Sequence, residues 1–225
     1  MKKALSEAGS LSGWELNDSD DEAELIQSII NELSSRLRPR SLYVAKYPVG
    51  IESQVQNLIS LSEPAGSDVL MIGLWGPGGI GKTTIAKALY NAIENQFQGC
   101  SFLERVIEKS NQSGGLVALQ EQLLSEIFSC PEFTVYFVDR GISLIRGKTM
   151  SQEGSLVLDD IDDMDQLNAL AGKGDWFGKG RIIVTSRDRH LLTSYDKNYV
   201  HEVKILEDNE AQDLLVSMPL QTAIK

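Results

Sequence analysis

Several features that define whole classes of proteins are scarce in this sequence. Its 225 residues include only two cysteines, Cys100 and Cys130, and two histidines. The cysteines lack the close spacing of a metal or redox site, so we expect free thiols in a reducing, intracellular compartment. No apolar run approaches the roughly 18 residues that cross a bilayer. The basic start, Met1 to Lys3, has no apolar segment after it, so we expect no secretory signal.

Basic residues are also in the minority. There are 21 Lys and Arg against 32 Asp and Glu, a net charge of −11. Nucleic-acid and anionic-membrane surfaces need clustered Lys and Arg, so we expect neither partner. A chain that is 42% hydrophobic and 24% charged is typical of a globular protein. The length fits one α/β domain with a small appendage.

One glycine-rich stretch carries the clearest chemistry. Residues 76–84 read Gly-Pro-Gly-Gly-Ile-Gly-Lys-Thr-Thr, which fits the pattern of a phosphate-binding loop. An apolar run precedes it and helical spacing follows it, so its backbone N–H groups and the positive end of a helix dipole would face an anion. Lys82 could then reach the β- and γ-phosphates, and the Thr83 hydroxyl could bind Mg²⁺. An ordinary glycine-rich turn would not need Lys-Thr at that place.

Apolar runs alternate with helical periods along the rest of the chain. Strands are predicted at 68–75, 100–103, 155–158, 181–185 and 201–206, and helices near 53–61 and at 116–128. The region 129–153 stays open, because 134–138 could form a strand while 141–153 has no steady period. Residues 22–37 have the spacing of an amphipathic helix. The predicted fold class is α/β: a P-loop NTPase with a doubly wound parallel sheet and flanking helices, preceded by that amphipathic helix.

Asp159 and Asp160 directly follow the strand predicted at 155–158, which we call the aspartate strand. A magnesium ion held by Thr83 needs an oxygen ligand opposite it, and Asp159 is our choice. Asp160 is the candidate general base that polarises an attacking water. A solvated acidic loop is the alternative, since three more aspartates follow closely. A calcium loop is disfavoured because no glycine stands at the required sixth position.

Arg187 directly follows the strand predicted at 181–185. Ligands of parallel sheets sit beyond the carboxyl ends of the strands, and a guanidinium matches phosphate oxygens with paired hydrogen bonds. We therefore expect Arg187 to meet a terminal phosphate. The alternative is a surface arginine paired with Asp188.

In this order, the motifs resemble the nucleotide-binding region of plant disease-resistance proteins, the NB-ARC class, in the form that follows a TIR domain. The resemblance covers nearly the whole chain. Beyond the phosphate loop and the aspartate strand, it rests on residues 15–26, 47–52, 97–104, 175–178 and 181–188.

The resemblance implies a division at residue 38. Residues 1–38 would be the C-terminal remnant of a TIR domain, without the glutamate that such domains use to cleave NAD, so no NAD hydrolysis is expected. Residues 39–225 would be the NB-ARC nucleotide-binding domain, truncated before the helical ARC subdomains. Two local departures from the family are the region 129–153, which lacks the helix expected before the aspartate strand, and Gly180-Arg181, which lacks an intervening serine.

The implied function is an ADP/ATP-binding, nucleotide-dependent switch in plant defence signalling, with Mg²⁺, at most slow ATP hydrolysis, and a cytoplasmic or nucleocytoplasmic location. Its partners would be the nucleotide and proteins such as TIR or other resistance proteins. The segment 47–52 would touch adenine through the backbone of Val49. The expected nucleotide-binding residues are Val49, Gly76, Gly78, Gly79, Ile80, Gly81, Lys82, Thr83, Thr84 and Arg187.

Two other functions stay open at this stage. One is an adaptor that binds no nucleotide and docks on a partner through the helix 22–37. The other is a small-substrate phosphotransferase, which lacks a visible second substrate site.

Overall fold

The computed structural model describes residues 41–62, 69–129, 133–150, 152–174, 176–194 and 198–217. The predicted amphipathic helix at 22–37 and Cys130 lie outside these residues. The domain division at residue 38 therefore stays a prediction.

A five-stranded parallel sheet forms the centre of the domain, with the strand order β2-β3-β4-β1-β5. The strands are β1 (Val69–Trp75), β2 (Gly99–Leu103), β3 (Glu153–Ile161), β4 (Lys179–Ser186) and β5 (Asn198–Glu202). Because all strands run the same way, their carboxyl ends meet at one edge of the sheet. The loop of residues 76–81 leaves β1 at that edge, beside the ends of β4 and β3.

Helices cover the sheet on both faces. They are α1 (Ile51–Ser62), α2 (Lys82–Ile93), α3 (Val106–Ser110), α4 (Gly115–Phe128), α5 (Val138–Thr149), α6 (Met164–Ala171), α7 (Arg189–Thr193) and α8 (Asp208–Ser217), with a 3₁₀ turn at Glu94–Gln96. None of the helices in the described part of the chain has both the length and the apolar composition needed to cross a bilayer.

The core divides into two clusters because neighbouring strand residues point to opposite faces. On β3, Leu156 and Leu158 join the cluster that contains side chains of α4, α5 and α6, whereas Val157 joins the cluster that contains α1 and α2. All three are fully buried. Strands buried on both faces explain the unbroken apolar runs of the sequence. The predicted doubly wound parallel sheet is confirmed.

The region 129–153 contains a helix in the part where the sequence showed no steady period. Residues 134–137 have no regular structure, and α5 begins at Val138 and ends at Thr149. The strand predicted at 134–138 is therefore wrong, as is the inferred lack of a helix before the aspartate strand. Only Gly141, Ile145 and Thr149 of α5 are buried. The helix is amphipathic, but two glycines and four charged residues among its twelve positions make it weakly hydrophobic and weakly helix-forming in sequence.

The last strand begins earlier than predicted. β5 covers Asn198–Glu202, so only the first two residues of the predicted strand 201–206 belong to it. Val203 still donates a backbone hydrogen bond to the Trp75 carbonyl, at 2.8 Å. After that bond the chain leaves the sheet.

The outer edge of the sheet at β2 is capped by a side chain. The Glu126 carboxylate of α4 accepts hydrogen bonds from the Phe102 backbone N–H, at 3.1 Å, and from the Ser101 hydroxyl, at 2.7 Å. An edge N–H that would otherwise be open is thereby satisfied.

Candidate phosphate-binding site

The glycine-rich loop between β1 and α2 has the backbone that its sequence predicts. Gly79 and Gly81 have φ values of 80° and 103°. Glycine is needed there for its backbone freedom, since a Cβ at either position would meet nothing within 4 Å. Gly81 precedes α2 without a side-chain cap. The first N–H groups of α2 are therefore free to bind an anion, which the helix dipole also favours.

Lys82 is held inside the loop. Its side chain is buried, and Nζ donates hydrogen bonds of 2.9 Å to the carbonyls of Gly76 and Pro77. Burial and then the nearby Arg187 lower the pKa of Lys82, while Asp160 and Asp159 oppose this shift. An ammonium has three donors, so one remains for a ligand. A bound anion would favour the charged form of Lys82.

Thr83 and Asp159 meet where the sequence predicts a magnesium site. The Thr83 hydroxyl donates to Oδ1 of Asp159 at 2.8 Å. The Thr185 hydroxyl donates to the same oxygen at 2.8 Å. Burial raises the pKa of Asp159, which is only 3% exposed, although the hydrogen bonds from Thr185 and Thr83 oppose the shift. A buried carboxylate beside a hydroxyl is an oxygen donor set that suits a divalent cation.

The donor set fits Mg²⁺ better than a metal that needs a complete protein cage. Among the described residues, no group of three or more His, Cys, Asp and Glu side chains could hold a metal ion by itself. Mg²⁺ is usually bound through one or two carboxylates together with substrate phosphates. The residues present are therefore compatible with a cation that is bound jointly by protein and phosphate.

Asp160 stands on an irregularity of β3. Between Leu158 and Ile161, β3 has one residue more than the matching part of β4, and Asp160 has a left-handed φ of 61°. A bulge of this kind re-aims side chains. The Asp160 N–H donates to the Thr185 hydroxyl at 2.8 Å, so Thr185 joins both aspartates to β4.

Arg187 lies between the loop and Asp160. A Cβ at Gly78 would be 3.4 Å from its Cζ, and its Nε is 3.9 Å from Oδ1 of Asp160. The Trp75 indole donates to the Arg187 carbonyl at 3.1 Å and so helps to fix its backbone. The Asp188 carboxylate instead accepts from the His190 N–H and caps α7. Within the described residues, Arg187 thus pairs with Asp160, whereas Asp188 caps α7.

These groups line a cleft of about 470 Å³ at the carboxyl edge of the sheet, a volume in the usual range for small-molecule sites. Most of the predicted site residues line it: Gly78, Gly79, Gly81, Lys82, Thr83, Thr84, Asp159, Asp160 and Arg187.

Three predicted residues are not part of the lining. Gly76 contributes its carbonyl to Lys82, and Ile80 packs against the apolar cluster of α1 and α2. The Val49 N–H donates to the Tyr47 carbonyl in a turn just before α1. A Cβ on the next residue, Gly50, would meet side chains from the segment after β5.

Four lining residues were not predicted: Lys87, Glu104, Arg105 and Thr185. Signals for three of them were present in the sequence. Lys87 is one turn after Thr83 on α2 and therefore on the same face. Glu104 and Arg105 directly follow β2, so the parallel topology brings them to the same edge as the aspartates.

A family model described as the NB-ARC domain matches residues 51–224. The chain belongs to this family. The NB-ARC match covers the phosphate loop, the β3 aspartates and Arg187.

Curated relatives of this NB-ARC domain include plant disease-resistance proteins. The chain is 40% identical to disease resistance protein RPV1 of Vitis rotundifolia, over 95% of the chain and 15% of that protein. It is 36% identical to TMV resistance protein N of Nicotiana glutinosa, over 94% of the chain and 19% of that protein. The resemblance inferred from the motifs is confirmed. The chain spans less than a fifth of the length of these two relatives.

The NB-ARC domain also resembles a chain in a structure of Drosophila ORC bound to DNA. The TM-score is 0.53 at 15% sequence identity, with 85% of this chain and 49% of that chain covered. The identity is too low to transfer a ligand, so the likeness supports the P-loop ATPase fold alone.

Proposed function

We propose that this NB-ARC domain binds ADP and ATP together with Mg²⁺ and acts as a nucleotide-dependent switch in plant defence signalling. One observation carries the proposal. The Thr83 hydroxyl, at the start of the helix that follows the glycine loop, is 2.8 Å from the buried carboxylate of Asp159. A hydroxyl and a buried carboxylate that meet at the start of the helix after a glycine loop are the oxygen ligands that a phosphate-bound magnesium ion needs.

Each predicted residue has a role in the proposal. The backbone amides of the loop, from Gly76 through Thr84, surround the phosphates, and the Lys82 ammonium neutralises part of their charge. Thr83 and Asp159 hold Mg²⁺, which supplies charge neutralisation to the phosphates when bound. Val49 contacts adenine through its backbone, on the side of the domain near the end of β5.

Hydrolysis is proposed to be weak or absent. Asp160 is the candidate base, but its carboxylate faces the Arg187 guanidinium at 3.9 Å. A carboxylate that pairs with an arginine is not positioned to orient an attacking water. Arg187 is proposed to sense the terminal phosphate, which would compete with Asp160 for the guanidinium.

The switch role is argued from the family and from relatives that are named disease-resistance proteins. A switch requires two states that bind ADP and ATP with different affinity. We propose that the partners are TIR domains or other resistance proteins and that the protein acts in the cytoplasm or moves between cytoplasm and nucleus. No observation among the described residues favours the adaptor alternative, whose helix at 22–37 lies outside them.

Isothermal titration calorimetry of the 225-residue chain tests the proposal. We expect Mg·ADP and Mg·ATP each to bind one site, and EDTA to weaken both. Lys82→Ala should weaken binding by about tenfold or more, the effect of losing one charge-assisted contact to phosphate. Lys173→Ala is the matched control, because it removes the same charge from an exposed position after α6. A folded wild-type chain that gives no heat with either nucleotide would refute the proposal.

A further inference from the structure

Two residues that line the cleft have a backbone conformation that side chains usually avoid. Arg105 has φ 57° and ψ 50°, and Asp160 has φ 61°. The other such residue in the described part of the chain is Ser129, which ends α4. A left-handed residue is ordinary at a helix end. Strain in a binding cleft, by contrast, is a reason to look for function.

The position of Arg105 mirrors that of Arg187 across the aspartates. β3 lies between β2 and β4 in the sheet. Arg105 follows the end of β2 and Arg187 follows the end of β4, so the two arginines flank the end of β3. Neighbouring strands are about 4.8 Å apart. The two arginines therefore emerge about 10 Å apart, with Asp159 and Asp160 between them.

The charges around Arg105 leave it available to an anion. Glu104, the other new group on this side, forms an ion pair with Lys87 of α2. Arg105 pairs with Glu108 of α3, but both side chains are more than half exposed, at 66% and 54%. Exposed pairs of this kind contribute little, so a phosphate could replace Glu108 with small loss.

The direction of the nucleotide follows from the sheet order. The loop leaves β1, and the proposed adenine contact at Val49 lies near the segment that follows β5, on one side of β1. β3 and β2 lie on the other side of β1. Phosphates that extend away from the adenine therefore run toward β3 and β2. The last phosphate comes nearest to Arg105.

We infer that Arg105 is a second arginine for the terminal phosphate and that, with Arg187, it makes the site favour a nucleoside triphosphate over a diphosphate. This inference rests on the proposed nucleotide binding. The strained backbone of Arg105 would keep the guanidinium at the cleft, in the manner of a residue held for binding at the expense of stability.

The variant Arg105→Gly removes the guanidinium and relieves the backbone strain, and these two changes have separate readouts. Glycine adopts φ 57° without strain, so we expect the ligand-free variant to unfold at the same temperature as the wild type or up to about 4 °C higher. Its Mg·ATP affinity should fall by about tenfold, as expected for loss of one charge-assisted hydrogen bond. Its Mg·ADP affinity should change by less than about threefold, since the diphosphate ends before the guanidinium. Arg105→Lys, which keeps the charge, should recover part of the ATP affinity.

Two controls match the test. Ser129→Gly relieves a left-handed residue away from the cleft and should leave the ratio of ATP to ADP affinity unchanged. Glu108→Gln removes the exposed partner of Arg105 and should leave ATP affinity equal or higher. If Arg105→Gly leaves the ATP-to-ADP ratio at the wild-type value, or lowers stability and both affinities together, this inference is wrong while nucleotide binding stands. A wild-type chain that binds neither nucleotide overturns both.

Discussion

The Thr185 hydroxyl connects three parts of the cleft. It donates to the Asp159 carboxylate and accepts from the Asp160 N–H, while Thr83 reaches Asp159 from α2. The aspartates could be predicted because they end an apolar strand after a phosphate loop. Thr185 could not, because its partners depend on the extra residue of β3 opposite β4. No residue pattern in either strand marks that bulge.

At this scale the raised pKa of Asp159 gives a testable pH dependence. The folded protein keeps the proton to a higher pH than the unfolded chain, whose carboxyl titrates near its usual value of about 4. Between about pH 4 and the raised pKa of Asp159, the folded state binds more protons than the unfolded chain. The free energy of unfolding therefore falls as pH rises through this range. The substitution Asp159→Asn removes this loss of stability. The introduced amide oxygen can still accept hydrogen bonds from the Thr83 and Thr185 hydroxyls.

We expect ligand-free Asp159→Asn to unfold about 2–4 °C above the wild type at pH 8, the shift that 1 kcal/mol produces in a domain of this size. The difference should vanish near pH 4. Mg²⁺ should no longer strengthen nucleotide binding by the variant. Thermal unfolding from pH 4 to 8 measures the first effect, with the exposed Asp213→Asn as the equal-charge control. An unchanged pH slope would contradict the expectation.

Among the elements, α5 shows where local sequence is a poor guide. Its two glycines and four charged residues lower its helix propensity, and the helix is held in place by tertiary contacts. Gln120 of α4 donates to the carbonyls of Val138, at 3.1 Å, and Ala169, at 2.9 Å, and so ties α4 to α5 and α6. The strands β3 and β4, buried on both faces, were predictable because their apolar runs are continuous.

The two glycines of α5 have opposite surroundings. A Cβ at Gly141 would lie 1.9 Å from Oε1 of Gln120, whereas a Cβ at Gly147 would meet nothing within 4 Å. Gly141→Ala should therefore destabilise the domain by about 1–3 kcal/mol through overpacking. Gly147→Ala should stabilise it by about 0.5–1 kcal/mol through helix propensity. Urea unfolding of both variants measures the difference. Equal effects of the two substitutions would show that Gln120 moves aside freely.

For the molecule as a whole, parallel topology assembles the cleft from distant parts of the chain. The loop at 76–84, residues 104–105, the β3 aspartates and Arg187 all follow or end strands that meet at one edge. Sequence reasoning predicted this edge and most of its residues. It missed Glu104 and Arg105 as site residues, since they become neighbours of β3 only through the strand order.

The cleft is lined by α2 and by residues at the ends of several strands. A nucleotide bound there should therefore stabilise the entire domain. Mg·ADP at about 100 times its dissociation constant contributes about 2.7 kcal/mol to the folded state. We expect the midpoint of thermal unfolding to rise by about 5–10 °C. Differential scanning fluorimetry measures this rise, and Lys82→Ala under the same conditions should show much less of it. A rise of equal size in that variant would place the ligand elsewhere.

The Glu126 carboxylate that caps β2 also bears on self-assembly. A strand from a second molecule could extend the sheet on this side only by displacing a charged group from the Phe102 N–H, and it would then bury that charge without its partner. Lateral strand addition at β2 is therefore unfavourable. Copies of this domain that associate in solution would therefore avoid the β2 edge, and removal of the Glu126 charge would open a route to aggregation there.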